Sequence, residues 1–368
     1  QNASNAIKEQ LDADPFSCCG ALQALQGLLI VLGKVVRELD VEVYPQGVLL
    51  VILQILQSIF SRYVTCLACP EDSEDLFAYV VNEGSDNVSV INLTTNTSIT
   101  EIPVGDNPYN LAITPNKKFV YVTNRYSGNV SVIDTETNTV ITTVPVGVWP
   151  SGVAVKPDGS FVYITNFQSR TVSVIDTTTN KVVSTIPVGE NTISVAITPD
   201  GNFAYVANQG RSSNSVSVID TTTNKVVSTI PAGIGPTDIA ITPDGHFAYV
   251  TDFNMKAVTV IDTTTNKVVS TTPVGNVPYG IAITPDGNFA YVANYADDNI
   301  SIINTFSNTV IDTIPVGDKP YGIAITPDGN FAYVANKGNN NVSVIDTSNN
   351  TVVNTIAVGS NPQFIAFK

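Results

Sequence analysis

The chain has 368 residues, of which 43% are apolar and 13% charged, and its formal net charge is −15 at neutral pH. This balance excludes an intrinsically disordered protein, because there is enough apolar material to build several cores. The acidic charge and the lack of a Lys/Arg-rich run argue against a nucleic-acid partner, since affinity for the phosphate backbone depends on cationic side chains.

Residues 1–76 contain no copy of the repeat that fills the rest of the chain, and we expect them to form a separate N-terminal module. Two apolar segments, ALQALQGLLIVLGKVVREL and GVLLVILQILQSIFSRYV, are separated by DVEVYPQ. In each segment two glutamines lie three residues apart, which places them on one side of a helix. A helical hairpin is therefore predicted, although residues 48–56 are also compatible with strands. Neither segment has about 20 uninterrupted apolar residues, so we expect no membrane span.

All four cysteines lie in this module, and they are Cys18, Cys19, Cys66 and Cys69. Disulfides within or between subunits are favoured, because we expect an extracellular setting. A zinc site of four thiolates and redox chemistry at the CxxC pair are the alternatives. An apolar hairpin exposes a large apolar surface unless it is covered, so we also predict a homo-oligomer that associates through residues 1–76.

The remainder of the chain repeats a unit of about 42 residues. The string Tyr-Val-x-Asn or a close variant occurs seven times, every 42 residues except for one interval of 44, and the copies begin at Tyr79, Tyr121, Tyr163, Tyr205, Tyr249, Tyr291 and Tyr333. Each unit reads as four short strands of the types IAIT, FAYVAN, VSVID and KVVSTIPVG. Four strands at this period are typical of a propeller blade, so the sequence predicts an all-β, seven-bladed β-propeller over residues 77–368. Alternation within VSVID predicts that one face of each sheet packs on a neighbouring blade.

The two ends of the repeated region predict how the ring closes. The first unit begins at FAYVVN without an IAIT-type strand, whereas PQFIAF at 362–367 is such a strand with no blade after it. A ring must protect its free strand edges. We therefore expect a 1+3 "velcro" closure, in which the C-terminal strand completes the first blade.

The motifs YVTN or YVAN, PDG, VSVIDT and IPVG followed by Pro resemble those of the YVTN family of β-propellers, found in archaeal and bacterial surface-layer and other exported proteins. Asp252 in YVTD and Ile164 in YITN are mild departures. The resemblance implies the propeller fold and a surface or periplasmic location, and it does not fix an activity. Similarity to seven-bladed lactonases is interpreted as one of fold only.

The strand order predicts two unlike faces of the ring. The PDG and TTTN turns share one face and hardly vary, whereas the FAYVAN-to-VSVID and IPVG-to-IAIT loops share the other and differ between blades. An aromatic, Arg-bearing variable face is a plausible recognition surface for a glycan, a peptide or a protein. The alternative is that its Pro-Tyr-Gly segments only pack the mouth of the channel. The candidate binding residues are Tyr109, Arg125, Trp149, Phe167, Arg170, Arg211, Phe253, Tyr279, Tyr295 and Tyr321.

On the repeated face, aspartates recur at one slot before the TTTN turns, where Asn92 and Asn304 stand in two blades. Such residues suit an Asx turn, since the side-chain oxygen accepts backbone N–H groups further along. Calcium would need several oxygens converging on one point, and we expect no metal there. The single histidine, His246, falls in a PDG turn, and no catalytic triad or haem-ligand set can be assembled.

These observations favour a non-catalytic extracellular or cell- or spore-surface protein without a cofactor. Its N-terminal module would drive self-assembly or anchoring, as in a filament or surface layer, and the propeller would be displayed as an interaction head. The alternative is a periplasmic or secreted propeller enzyme, or a cofactor-handling protein, that uses the channel mouth.

Overall fold

The computed structural model describes residues 76–368, which form 28 β-strands in seven four-stranded antiparallel sheets. Residues 1–75, with the four cysteines and the expected hairpin, lie outside the described residues. Within residues 76–368 no helix is long and apolar enough to cross a membrane.

Each sheet is one blade, and its four strands lie side by side in order from the centre of the ring to the rim. The innermost strands are β4 (Pro108–Ile113), β8 (Pro150–Val155), β12 (Thr192–Ile197), β16 (Pro236–Ile241), β20 (Pro278–Ile283), β24 (Pro320–Ile325) and β28 (Pro362–Phe367). The second strands are β1 (Phe77–Asn82), β5 (Phe119–Asn124), β9 (Phe161–Asn166), β13 (Phe203–Asn208), β17 (Phe247–Asp252), β21 (Phe289–Asn294) and β25 (Phe331–Asn336).

The two outer layers complete the blades. The third strands are β2 (Asn87–Asn92), β6 (Asn129–Asp134), β10 (Thr171–Asp176), β14 (Ser215–Asp220), β18 (Ala257–Asp262), β22 (Asn299–Asn304) and β26 (Asn341–Asp346). The rim strands are β3 (Thr97–Pro103), β7 (Thr139–Pro145), β11 (Lys181–Pro187), β15 (Lys225–Pro231), β19 (Lys267–Pro273), β23 (Thr309–Pro315) and β27 (Thr351–Ala357).

The ring closes as the sequence predicts. Strand β28 pairs antiparallel with β1, so the first blade has the order β28-β1-β2-β3. The innermost strands contact one another in sequence around the axis, and β28 contacts β4 to complete the circle. Strand β1 therefore has no unpaired edge, which removes the aggregation hazard that such an edge would present.

The prediction that one face of each sheet packs on a neighbouring blade underestimates the burial, since both faces are covered. In β6, four consecutive residues from Val130 to Ile133 are buried, because each sheet is covered on both faces by neighbouring blades. The polar residue in this stretch, Ser131, is satisfied by Asn124, whose Nδ2 donates to the serine hydroxyl over 2.9 Å. The valines and the hydrogen-bonded serines of these strands therefore point to opposite faces of the sheet, and both kinds of residue are buried between blades.

One hydrogen bond explains why the Tyr-Val-x-Asn string and the asparagine that ends the TTTN turn are repeated together. The Tyr121 hydroxyl of the second blade donates to Asn180 Oδ1 in the turn of the third blade over 2.7 Å. The acceptor has a left-handed backbone with φ 52°, a conformation that asparagine tolerates. The same bond recurs from each blade to the next, at Tyr79–Asn138, Tyr163–Asn224, Tyr205–Asn266, Tyr249–Asn308, Tyr291–Asn350 and Tyr333–Asn96.

The carboxylates on this face form Asx turns, as predicted. Asp134 Oδ1 accepts the backbone N–H groups of Glu136 and Thr137, each over 2.9 Å. Asn92 Oδ1 makes the equivalent pair of bonds in the first blade. His246 is exposed in its PDG turn, where its backbone N–H donates to Asp244 Oδ1 over 3.0 Å.

Candidate functional site

Two sets of seven residues surround the channel mouth on the variable face. Each innermost strand begins opposite the end of the second strand, as shown by the pairing of Pro108 with Asn124. One set therefore follows the first residue of the innermost strands, and it comprises Tyr109, Ser151, Ile193, Thr237, Tyr279, Tyr321 and Gln363. The other set follows the Tyr-Val-x-Asn string, and it comprises Glu83, Arg125, Phe167, Gln209, Phe253, Tyr295 and Lys337. A symmetric scaffold thus presents a strongly asymmetric set of side chains.

Four aromatic side chains form a packed tyrosine cluster, which consists of Tyr109, Tyr279, Tyr321 and Phe364. The hydroxyls of Tyr109 and Tyr321 share a hydrogen bond of 2.8 Å, although these residues are 212 positions apart. Tyr279 stacks on Tyr321 with a centroid separation of 4.3 Å. Burial raises the pKa of Tyr279 to about 12 and that of Tyr321 well above the usual value. The hydroxyls therefore stay protonated at neutral pH and are available as hydrogen-bond donors.

Arg125 lies directly over this cluster. Its guanidinium carbon is 3.4 Å from the Tyr109 ring centroid and 6.0 Å from that of Phe167. Its Nε and Nη2 both donate to the Ser151 hydroxyl, over 3.3 and 3.2 Å. Arg125 forms no ion pair with any carboxylate of residues 76–368. A half-buried cation held on a ring face by cation–π attraction, with donors to spare, is suited to binding negative charge.

Glu83 and Lys337 form an ion pair beside it. Lys337 Nζ lies 2.5 Å from Glu83 Oε2, Asn107 donates to Oε1 over 3.0 Å, and Gln363 also donates to Oε2. Burial raises the pKa of Glu83, but the hydrogen bond and charge of Lys337, with help from Asn107 and Arg125, outweigh it and hold the pKa below its usual value. Glu83 is therefore ionised at neutral pH.

Asp238 is a second carboxylate near the mouth, at the third residue of β16. Its Oδ1 accepts from the Ser194 hydroxyl over 2.7 Å and from its neighbour's backbone N–H over 3.0 Å, and its Oδ2 accepts from the Ile281 N–H over 3.1 Å. The residue keeps partial contact with water but is densely surrounded by protein. Burial is the main cause that raises its pKa to about 6, since no cation pairs with it. Such a carboxylate is poised to exchange a proton near neutral pH.

The charges of Arg125, Asp238 and Glu83 all affect the ionisation of the Tyr109 hydroxyl. Burial raises the pKa of Tyr109; Arg125 and the Tyr321 hydrogen bond oppose that effect, and the charges of Asp238 and Glu83 add to it. The Tyr109 hydroxyl is thus within electrostatic range of one cation and two carboxylates. Charged groups gathered around buried aromatic side chains are an arrangement often found at catalytic or binding sites.

Sequence reasoning found most of these aromatic residues and missed both carboxylates. Phe253 and Tyr295 pack edge-on against Tyr279, at centroid distances of 5.6 and 5.4 Å. Glu83 could have been found, because it occupies the slot that identified Arg125. Asp238 could have been found too, since TDIA stands where two sister blades read YGIA.

The other candidate residues lie elsewhere on the variable face. Trp149 is 6.1 Å from Phe167 between ring centroids, and it lies on the outer side of that residue, next to Tyr126. Arg170 is exposed and pairs with Glu190 over 2.8 Å, and Arg211 is exposed in the inserted loop, where its carbonyl accepts from Asn214. Neither arginine makes a hydrogen bond or ring contact with the tyrosine cluster in the described part of the chain. Among residues 76–368 no three His, Cys, Asp or Glu side chains are grouped as metal ligands would be.

Two sequence families match the chain. The profile of the family described as "Lactonase, 7-bladed beta-propeller" matches residues 71–186 and 252–358, which together make up more than half of the chain. The profile of the "YNCE-like beta-propeller" family matches residues 195–289. No curated protein sequence matches the chain.

Solved structures with the same fold include several enzymes. Hydrazine synthase of Kuenenia stuttgartiensis superposes with a TM-score of 0.69 at 26% identity, over 73% of this chain and 92% of that one. A candidate 6-phosphogluconolactonase from Bacteroides uniformis superposes with a TM-score of 0.67 at 20% identity, over 80% of this chain and 100% of that one. The dihydro-heme d1 dehydrogenase NirN gives a TM-score of 0.61 at 17% identity, over 76% of this chain and 63% of that one. The last two likenesses show the fold alone.

The lactonase match contradicts the expectation that the protein is not an enzyme, and it shows that the similarity to lactonases is more than one of fold. A non-catalytic surface role loses its support, and the alternative of an enzyme or cofactor-handling propeller fits better. The reason for the error is that the charged groups of the mouth come from single-copy positions in different blades, so no contiguous motif reveals them. The chain belongs to the seven-bladed β-propeller lactonase family.

Proposed function

We propose that this protein hydrolyses a lactone, a cyclic ester, at the channel mouth of the variable face. Family membership supports the reaction class. The observation that carries the location is the Arg125 guanidinium 3.4 Å over the Tyr109 ring, with Asp238 and Glu83 near enough for their charges to raise the pKa of Tyr109. Within residues 76–368 the opposite face presents instead a ring of aspartates and asparagines used in Asx turns.

Asp238 is the proposed general base. Its Oδ2 accepts one backbone N–H and keeps a free lone pair, which can take a proton from a water molecule. The water oxygen then attacks the carbonyl carbon of the lactone, and the ring C–O bond breaks. The departing oxygen takes up the proton that Asp238 accepted from the water, so that the product is an open-chain hydroxy acid and Asp238 is again ionised.

Arg125 is the proposed group that stabilises the negative charge formed on the carbonyl oxygen. It is held on the Tyr109 ring with unpaired N–H groups, so little reorganisation is needed as charge develops. The protonated tyrosine cluster beneath it supplies an apolar floor that excludes bulk water, which strengthens electrostatic attraction at the site. Glu83 and Lys337 neutralise each other and fix the position of the neighbouring side chains.

A periplasmic or secreted location is part of this proposal. The YVTN-like repeats support export, since their resemblance is to exported propellers. Self-association through residues 1–76 remains a prediction that concerns residues outside the described part of the chain.

The test is turnover of glucono-δ-lactone and γ-butyrolactone by the purified full chain, followed by acid release. Because the base must be deprotonated, kcat/KM should rise with pH and level off above the pKa of about 6 assigned to Asp238. The Asp238→Asn variant should lose about 100-fold or more in kcat/KM, together with this limb of the pH profile.

The matched control is Asp220→Asn on the opposite face. Asn92 and Asn304 occupy the equivalent slot in two other blades, so this variant should fold normally and keep wild-type activity. No hydrolysis above the uncatalysed rate, or equal activity of the two variants, would rule out the assignment.

A further inference from the structure

An aromatic strip extends from the channel mouth to the exposed rim of the variable face. It consists of Tyr126, Trp149 and Phe167, with successive ring centroids 6.1 Å apart and interplanar angles of 50° and 32°. Tyr126 is 67% exposed, and Trp149 and Phe167 are half-buried. These tilts differ from the edge-on contacts of the tyrosine cluster, such as 83° between Tyr109 and Tyr321. At 6.1 Å these rings are also farther apart than the stacked pair Tyr279–Tyr321 at 4.3 Å, and all three keep part of their surface exposed to solvent.

Trp149 occupies a backbone position that suits tryptophan poorly. Its φ is +57°, in the left-handed region, which is unfavourable for a bulky side chain. The same slot in the other blades is occupied by Asn107, Asn191, Gly235, Val277, Lys319 and Asn361. Asparagine and glycine, the residues that tolerate this conformation best, fill four of those six slots. Strained backbone is enriched at functional sites, and here it holds the one aromatic side chain found at this slot in the seven blades, in contact with Tyr126 and Phe167.

We propose that the aromatic strip binds a short run of sugar units attached to the lactone substrate. One face of a pyranose ring presents several C–H groups, which are attracted to the negative face of an aromatic ring. Three rings at steps of 6.1 Å offer a surface for a short run of sugar units. This inference rests on the proposed function, because it names the class of substrate that the mouth receives.

The position of the strip supports a substrate rather than a separate ligand. Phe167, its inner end, lies 6.0 Å from the Arg125 guanidinium, which itself covers Tyr109. A saccharide on the strip is thereby continuous with the proposed reaction centre. The exposed Gln168 and the remaining Arg125 donors are next to the rings and are suited to sugar hydroxyls.

Other occupants fit less well. A strip of three rings is much smaller than the roughly 1,000 Å² that a stable protein–protein interface buries. Nucleobases also stack on aromatic rings, but a polyanion is disfavoured by the net charge of −15.

The chain contains a single tryptophan, so the intrinsic fluorescence of Trp149 reports on the strip directly. Titration of the full chain with maltohexaose, cellohexaose and chitohexaose should change this emission for at least one of them. Calorimetry with that sugar should show a Kd at least tenfold higher for Trp149→Asn than for the wild type. Because asparagine suits the backbone, the thermal midpoint of this variant should be unchanged or higher, which separates lost binding from lost folding.

The matched control is Lys319→Asn, at the same slot with φ 54°, which should bind the sugar as the wild type does. Absence of binding by all three sugars, or unchanged affinity of Trp149→Asn, would overturn the inference. An emission change with single-stranded DNA or an aromatic peptide but no sugar would also overturn it. Lactone hydrolysis without sugar binding would leave the proposed function standing, whereas Trp149-dependent sugar binding without hydrolysis would reject the proposed function and, with it, the assignment of the sugar to a lactone substrate.

Discussion

At the scale of single residues, Asp252 is the most unfavourable substitution within the repeated framework. It stands at the end of β17, where the other six blades carry a buried asparagine. In the second blade Asn124 donates to Ser131 from its amide, whereas in the fifth the Thr259 hydroxyl has to donate to Asp252 Oδ2. Asp252 Oδ1 has no hydrogen-bond partner, and neither has the Oδ1 of five of the six equivalent asparagines, so the negative charge is what sets Asp252 apart. Burial raises the pKa of Asp252 to about 6, because no cation compensates its charge.

We predict that Asp252→Asn stabilises the propeller at pH 7. A carboxyl whose pKa is about 6 when folded, against 3.8 in its ordinary state, binds its proton more tightly in the folded chain. Stability therefore falls as the pH rises from about 4 to about 6, and the loss is complete above that range. The variant should remove up to about 3 kcal/mol of destabilisation at pH 7 and have little effect at pH 4. Urea unfolding at the two pH values measures this difference.

The reciprocal change, Asn294→Asp in the sixth blade, is the control. Asn294 makes the usual amide bond to Ser301 over 2.8 Å, so this variant should acquire the same pH-dependent loss of stability. Equal stabilisation by Asp252→Asn at pH 4 and pH 7 would show that the charge of Asp252 is not the cause.

The residues of the candidate site were only partly predictable, for a physical reason. Departures from the repeat identify which blade carries Tyr109, Arg125 or Trp149, and they also mark Glu83 and Asp238 once both slots are compared across all blades. The sequence does not contain the distances across the ring. The 2.8 Å bond between Tyr109 and Tyr321 depends on the width of the channel, which seven blades set collectively.

At the scale of elements, β28 is the strand on which closure depends. It pairs with β1 through Tyr79 and Val80, and its Phe364 packs against Tyr109 and Tyr321 at centroid distances of 5.6 Å. Its loss would leave β1 with an unpaired edge and remove part of the channel lining.

Deletion of residues 362–368 is therefore predicted to abolish the folded ring rather than to loosen one blade. The exposed β1 edge should cause aggregation, which size-exclusion chromatography and circular dichroism would detect. As a control, the same segment can be moved in front of Phe77 and joined by a Pro-Asp-Gly-Asn turn, since Lys368 already donates to the Phe77 carbonyl over 2.8 Å. This permutant should recover the fold, and a soluble, cooperatively folded deletion variant would contradict the role given to β28.

The elements themselves were predictable because each blade repeats the same local chemistry. The PDG reversals, the Asx turns and the strand pattern recur, so evidence from seven copies accumulates. Burial on both faces of the sheets was not evident in one blade, because alternation of Val with Ser looks the same whether the serine faces water or donates and accepts inside the core. The contact between Ser131 and Asn124 resolves this ambiguity.

At the scale of the whole molecule, the propeller is a closed cycle in which every blade is stabilised by two neighbours. Each interface contains an apolar cluster, such as the one in which Val81 and Val90 of the first blade meet Leu111 and Val122 of the second. Each also contains one Tyr–Asn hydrogen bond. Opening any one interface breaks the closed ring and removes one neighbour from each of two blades. We therefore expect the seven blades to unfold together.

The prediction that the seven blades unfold together can be tested by removing one Tyr–Asn hydrogen bond at each of two distant interfaces. Tyr121 donates to Asn180 over 2.7 Å and Tyr291 to Asn350 over 2.9 Å, on interfaces that share no residue. Tyr121→Phe and Tyr291→Phe should each cost about 1 kcal/mol, and their effects should add in the double variant. Calorimetry should show one propeller transition, shifted down by about 2 °C per substitution, because both changes act on the same cooperative unit. Splitting of that transition in either variant would show instead that neighbouring blades unfold independently of the ring.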